Sequence, residues 1–269
     1  SYRYNGAASA LMEYFWNEFC DWYVEATKIN FKNGDDKEKD RQASVLMNIL
    51  EENLRLLHPY LPFVTEEIYQ KLPLKEIETN RAAVSGEKIV STVEYSGMLI
   101  NAPYPEVLAA RENAEIEARF EVLKDLIGKV RALRVDCGID PAIKMNIAIK
   151  ITKGSAAEVC REKVEMIQLL AGVAKIDFVE AKPASSIGTV GTGFEAFILV
   201  DESIDKAGLL ARFQKTMEKE QGYAKMSENK LNGNFAKHAP ANLVEEEKQR
   251  LAESNRKIAT LQAYINELK

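Results

Sequence analysis

Residues 244–268 read VEEEKQRLAESNRKIATLQAYINEL, in which Val244, Leu251, Ile258 and Ile265 recur every seven residues, with Leu261 and Leu268 at the three-residue offset. A heptad of this kind marks a helix that buries one stripe against another helix. The partner lies just upstream, where Leu210, Met217, Ala224 and Leu231 repeat likewise, joined by Phe213. Asn232-Gly233-Asn234 and Pro240 interrupt helical geometry between the two runs, so the second must fold back along the first. Each helix, of roughly thirty residues, would extend ~40 Å at 1.5 Å per residue. Glu220, Ser227, Glu247 and Ser254 occupy the remaining seam positions, so residues 203–269 are expected to form a protruding, mobile arm with little apolar seam.

Upstream of the arm the period changes. Met145, Ile147, Ile149 and Ile151 alternate with polar residues as in a half-buried strand, a helix is expected over 156–171, and a strand over 174–180. A hairpin around Gly191-Thr192-Gly193 completes a small α/β unit over 142–202. Gly138-Ile139-Asp140-Pro141 closes a helical region over 1–141. There Asn5 is expected to cap a first helix reaching about Lys28, with Ala8, Leu11, Met12, Phe15, Phe19, Trp22 and Ala26 at helical spacing. Asn33-Gly34 turns into a second helix that His58-Pro59 stops, because proline excludes helical geometry from the residue before it. A third helix follows from near Pro62 to about Leu72, residues 89–95 alternate like a strand, and a fourth helix is expected from about Pro105 to Val135. Short connections between antiparallel helices indicate a bundle. The fold expected is mainly α: a bundle, a small α/β subdomain and a C-terminal antiparallel two-helix coiled coil.

The composition, 46% hydrophobic and 29% charged, is that of a folded globular chain, and its apolar runs are too short to span a bilayer. Nothing at the start reads as a secretory signal, and the opening at Ser1 without Met looks like a piece cut from a longer protein. Cys20, Cys137 and Cys160 are too widely spaced for a zinc site and too few for a disulfide framework, which argues for a reducing, cytoplasmic compartment. The net charge is −5, yet residues 203–269 carry 12 Lys/Arg against 9 Asp/Glu, a balance of +3 that leaves −8 for the rest. A polyanion would prefer the arm.

Two motifs mislead. Lys225-Met226-Ser227-Glu228 resembles an ATP-phosphate loop but falls inside a helix, and Gly188-x-x-Gly191-x-Gly193 lies between strands and opens no helix. Among Phe15, Trp16, Phe19, Trp22 and Tyr23 most are core, with Trp16 and Tyr23 off the main stripe and able to stack on unpaired bases. Lys129, Arg131 and Arg134 sit at one helix end, where they serve either the helix dipole or an RNA contact. No nucleophile, carboxylate pair or metal-ligand set stands out, so no catalytic site and no cofactor are expected.

Tyr2-Arg3-Tyr4-Asn5 and Phe15-Trp16-Asn17-Glu18-Phe19-Cys20-Asp21-Trp22-Tyr23 resemble the opening of the anticodon-binding domain of valyl-tRNA synthetases. Leu57-His58-Pro59-Tyr60-Leu61-Pro62-Phe63-Val64-Thr65-Glu66-Glu67-Ile68 is similar to a class Ia segment. Val130-Arg131-Ala132-Leu133-Arg134 with Gly138-Ile139-Asp140-Pro141, and Phe235-Ala236-Lys237-His238-Ala239-Pro240 at the tip of the arm, resemble further blocks in the family's order. Residues 74–98 depart, being longer than the family's usual connection. The resemblance implies an enzyme that joins valine to its tRNA with ATP and Mg, and edits misactivated threonine. Both activities would lie in catalytic and editing domains outside this chain. What it leaves here is tRNA binding by a monomer, away from membranes. The anticodon loop would meet Arg3, Tyr4, Trp16, Tyr23, Lys129, Arg131 and Arg134. The arm would touch tRNA backbone, without reading sequence, through Arg212, Lys215, Lys219, Lys225, Lys230, Lys237, Arg250, Arg256 and Lys257. A structural or oligomerising coiled coil without tRNA specificity, and an unrelated small-molecule enzyme, remain as alternatives.

Overall fold

The computed structural model describes residues 3–72, 97–107, 112–201, 204–233, 235 and 239–268. The chain is mainly α with one four-stranded sheet, and its packing divides it into two units, Ser1–Asn113 and Ala114–Lys269.

In the first unit one helical run contains α1 (Tyr4–Glu13), a π-helical stretch (Tyr14–Val24) and α2 (Glu25–Asn33). Arg3, not Asn5, stands at its N-cap, and no side chain caps it. Gly34 leaves helical geometry, and Asp35 opens α3 (Asp36–Leu57) with a capping box. In that box Glu38 N donates to Asp35 Oδ1 at 2.8 Å and Asp35 N to Glu38 Oε2 at 3.2 Å. The turn folds α3 back on the first run, where Gln42 meets Asn30 at 2.8 Å and the Tyr23 hydroxyl at 3.3 Å. α3 ends before His58-Pro59 as expected, and α4 (Pro62–Tyr69) starts on proline, whose missing N–H has no helical partner to lose there. The segment 97–107 is tied down by three side chains, Gln70, which donates to the Gly97 carbonyl, Glu66 and Arg55. Glu66 accepts from Leu99 N at 2.9 Å, while Arg55 donates to the Pro103 carbonyl at 3.0 Å and pairs with Glu51 at 2.8 Å. Leu54, Tyr69 and Leu99 form the buried cluster beneath. The strand expected over 89–95 lies outside the described residues.

The second unit begins with α5 (Ala114–Cys137), the helix that the sequence places in the bundle. It starts nine residues later than expected and packs against the sheet and its helices, so by packing it belongs to the second unit. An amphipathic stripe (Leu123, Leu126, Ile127, Val130, Leu133, Cys137, all buried) reports that a helix has a partner but not which one. The sheet runs β2 (Val173–Phe178), β1 (Met145–Ile151), β4 (Phe194–Leu199), β3 (Ser186–Gly191). The β1–β2 pair is parallel, across α6 (Gly154–Glu162) and α7 (Val164–Ala171), and the other two pairs are antiparallel. The expected single helix over 156–171 is thus two, broken at Lys163. β1 is more than half-buried: Ala148 is as inaccessible as Ile147 and Ile149, so both faces are covered.

α8 (Lys206–Asn232) and α9 (Ala241–Leu268) form the antiparallel arm. Its seam follows the heptad. Ala224 and Leu261 are buried, and the polar seam residues Ser227 and Glu247 are buried too. Apolar burial concentrates at the base, in Leu209, Phe213, Leu261, Tyr264, Ile265 and Leu268. That base rests on the sheet: Gly188 N donates to Glu267 Oε2 at 3.3 Å, and Lys182 pairs with Glu267 at 2.6 Å.

Candidate nucleic-acid interface

The basic residues on α5 divide by role. α7 ends at Ala171, and Gly172 follows in the left-handed region with φ 65°, leaving the helix's last carbonyls without helical partners. Arg134 supplies those partners. Its guanidinium donates to the carbonyls of Ala171 at 3.2 Å, Gly172 at 3.4 Å and Ile143, and the side chain is 8% exposed. Burial lowers its pKa from the ordinary arginine value. Arg131 Nε donates to the Leu170 carbonyl at 2.7 Å on the same helix end, and Lys129 remains exposed. The helix whose negative end these arginines complement is therefore α7, not their own. Arg134 is corrected from an RNA-facing candidate to a buried clamp; the sequence shows a basic cluster, but not the helix end that packs across it.

In the first unit the π-helical hydrogen-bond pattern, which closes wider turns than an α-helix, brings residues four apart towards one line. Phe15, Phe19 and Tyr23 stack accordingly, with ring centroids 5.5 Å and 6.1 Å apart. Tyr23 is half-buried, and burial raises its pKa against the opposing hydrogen bond from Gln42. It takes part in the packing between the two helical runs. Trp16 points away from that stack and is 61% exposed; Tyr4 is 68% exposed, beside exposed Arg3. Tyr4 and Trp16 are twelve positions apart, about 18 Å along a helix, so they are two contacts and not one pocket.

The arm residues also separate. Arg212 donates to the Gly138 carbonyl at 2.9 Å and anchors the base. Lys219 lies over the Tyr223 ring at 5.7 Å. Lys230 and Arg250 approach Glu247 at 3.4 Å and 3.8 Å, and Lys257 approaches Glu220 at 3.6 Å. Lys215, Lys225 and Arg256 are exposed and make no side-chain hydrogen bond or ion pair among the described residues; Lys237 lies outside those residues. Sequence reasoning misses Tyr223 and Met226, exposed beside these cations by 47% and 59%. Their signal is the heptad itself, which places Tyr223 directly beside the seam.

Glu247 sits in the seam, where it accepts from the Ser227 hydroxyl at 2.7 Å. That bond, opposed by burial and aided by Lys230 and Arg250, holds its carboxyl below the ordinary value of 4.5. A carboxylate whose folded pKa is depressed contributes stability that is complete above the unfolded pKa and is lost as pH falls through the folded one. The arm should therefore loosen selectively below about pH 4.5. In thermal melts followed by circular dichroism, Glu247→Gln should melt below the parent at about pH 6, with the gap closing towards about pH 3. A gap independent of pH would mean that the carboxylate's charge is irrelevant there.

Lys225-Met226-Ser227-Glu228 lies inside α8, and the Gly188–Gly193 stretch forms the β3–β4 hairpin. Among the described residues no group of three His, Cys, Asp or Glu side chains is placed to hold a metal ion, and no helix is long and apolar enough to cross a membrane. The cysteines are free; burial pushes Cys137 up to about 12 and Cys160 up to about 11.

Comparison with known proteins adds two family matches. Residues 1–151 match the anticodon-binding domain of tRNA ligase, and residues 205–269 match the valyl tRNA synthetase tRNA binding arm. A valine–tRNA ligase of Treponema denticola is 47% identical over 269 residues, covering 98% of this chain and 28% of the relative. That of Treponema pallidum is 39% identical, covering 100% and 29%, and that of Chromobacterium violaceum 32% identical, covering 100% and 26%. The chain thus spans less than a third of the length of these relatives.

Proposed function

Because the chain belongs to the valyl-tRNA synthetase family, we propose that it grips a valine-accepting tRNA for domains elsewhere in the polypeptide. The helical region of the first unit receives the anticodon loop, with Arg3, Tyr4 and Trp16 as contacts; in the second unit Lys129 and Arg131 on α5 are further RNA-contact candidates, and the arm supports the outer corner. Binding energy gained far from the reacting atoms is then available to position the acceptor end. ATP and Mg belong to the catalytic domain. The residues present do not fit them, since no glycine-rich turn opens a helix among the described residues and the Lys225-Met226-Ser227-Glu228 stretch is committed to α8. A cytoplasmic monomer is the state proposed.

The observation that carries this reading is the arm, two helices of 27 and 28 residues with a partly polar seam and exposed lysines and arginines on an otherwise acidic chain. Such a hairpin gives the second unit reach more than core. Removing residues 203–269 outright would take away Phe213, Tyr264 and Leu268, buried at the base of the arm, so the test is to replace residues 217–258 by a short turn and keep the base. Filter binding across salt concentrations should then show weaker tRNA affinity and a salt slope smaller by about one for every phosphate that the shortened arm no longer meets, with preference among tRNAs unchanged. An unchanged slope would make the arm a spacer, and a dimeric mass by light scattering would favour the oligomerising coiled coil.

A further inference from the structure

The two long sides of the arm are not alike. On one side the positions beside the seam hold Tyr223 and Lys230 from α8 and Arg250 and Lys257 from α9, which meet across a groove of about 300 Å³. On the other side the equivalent positions hold Gln214, Gln221, Glu228, Lys248, Asn255 and Gln262, with no aromatic residue and no excess of positive charge.

The first side is layered. Glu247 is 5% exposed and Glu220 is half-buried, so these two carboxylates lie at the bottom of the groove, while Glu253, also on its lining, is exposed. The cations stand above them with side chains 49% (Lys230), 66% (Arg250) and 64% (Lys257) exposed. Their separations from the carboxylates, 3.4 to 3.8 Å, hold the heads in place without neutralising their outer faces. A polyanion approaching this side meets three exposed cations against one exposed lining carboxylate, Glu253. Tyr223, with Met226 exposed on the next turn, adds an apolar ledge beside that charge. Exposed cations next to an exposed ring match an unpaired stretch of RNA, whose phosphates take the charge and whose turned-out base takes the ring.

We propose that this side of the arm, and not the opposite one, is the RNA-facing side: Lys230, Arg250 and Lys257 hold phosphates, and Tyr223 stacks on one unpaired base of the tRNA. The proposal rests on the tRNA-binding reading above and specifies where on the arm it happens.

The test uses the full chain and an unmodified transcript of a valine-accepting tRNA. Lys230→Gln, Arg250→Gln and Lys257→Gln together should lower the salt slope by about two to three, near 0.9 for each phosphate held. Tyr223→Ala should weaken binding about tenfold with the slope intact, because stacking releases no counterions. Lys248→Gln, on the other side, should change neither. Helix content by circular dichroism accompanies each variant. Should the triple variant lose the arm, Lys257→Gln alone, which gives up one exposed pair, should still lower the slope by about one. A slope that falls only for Lys248→Gln overturns the assignment and leaves the arm as an RNA contact. Silence of all the variants while the shortened arm still loses slope also overturns it. If the shortened arm is silent as well, the tRNA reading of the arm fails with it.

Discussion

Arg134→Ala is expected to destabilise residues 114–269 by about 3–5 kcal/mol, as the sum of several buried carbonyls stripped of their donors. The carbonyls of Ala171, Gly172 and Ile143 all accept from this one guanidinium, and α5, α7 and the lead into β1 meet there. A domain's whole stability is about 5–15 kcal/mol, so the loss falls within reach of unfolding. Arg134→Lys should recover only part of it, because an ammonium lacks the planar fork that serves several acceptors at once. The neighbouring backbone is equally committed, since a Cβ at Gly172 would lie 2.3 Å from Arg134 Nη1 on a residue already at φ 65°. Urea titration followed by circular dichroism should show the midpoint falling sharply for the alanine variant. An RNA-contact role predicts the reverse pattern, an unmoved midpoint with weakened tRNA binding, and that result would refute the clamp.

Arg134 also shows where reading from the sequence stops. The arm is legible because a heptad names its own partner: Val244, Leu251 and Ile258 run antiparallel to Leu210, Met217 and Ala224 within one short stretch of chain. The β1 strand and the Gly191-Thr192-Gly193 hairpin are legible for the same local reason. α5 is visible as a helix, yet its stripe is silent on whether a bundle or a sheet covers it. The role of Arg134 depends on α7, which lies 37 residues further along the chain from arginine to carbonyl, and no spacing rule reaches that far. Tyr23 eludes a periodicity of 3.6 residues per turn because the stretch that carries it is π-helical. The segment Leu57 to Ile68 is recognisable as a motif, but its work is not: Thr65 is buried beside His58, and Glu66 holds the backbone of Leu99. The candidate site is therefore half legible, its cations visible and their internal partners not.

Phe213→Ala should release the arm from its base. Phe213 is 1% exposed, its ring lies 5.5 Å from that of Tyr264, and Leu209, Leu261, Ile265 and Leu268 are buried in the same part of the arm. Truncating a buried phenylalanine costs about 3–5 kcal/mol through the missing transfer energy and the cavity left behind. The arm has little with which to absorb that. Farther out the seam holds Ser227 against Glu247 and Glu220 against Lys257, pairs that fix register but bury little apolar surface. The polar ties at the base are also modest: the Tyr264 hydroxyl reaches Asp136 at 3.5 Å and Glu267 reaches Gly188 N at 3.3 Å, and neither holds the helices once the ring is gone. The expected result is rapid proteolysis within residues 206–268, loss of helix signal, and tRNA affinity reduced to that of the shortened arm, while residues 114–201 keep their own core of Leu126, Ile127, Ile147 and Ile198. Met217→Ala, at a half-buried seam position beyond the base, should cost well under that and leave the arm protected. If Phe213→Ala resists protease as the parent does, the arm is held by its outer seam, and the polar pairs there carry more stability than their burial implies.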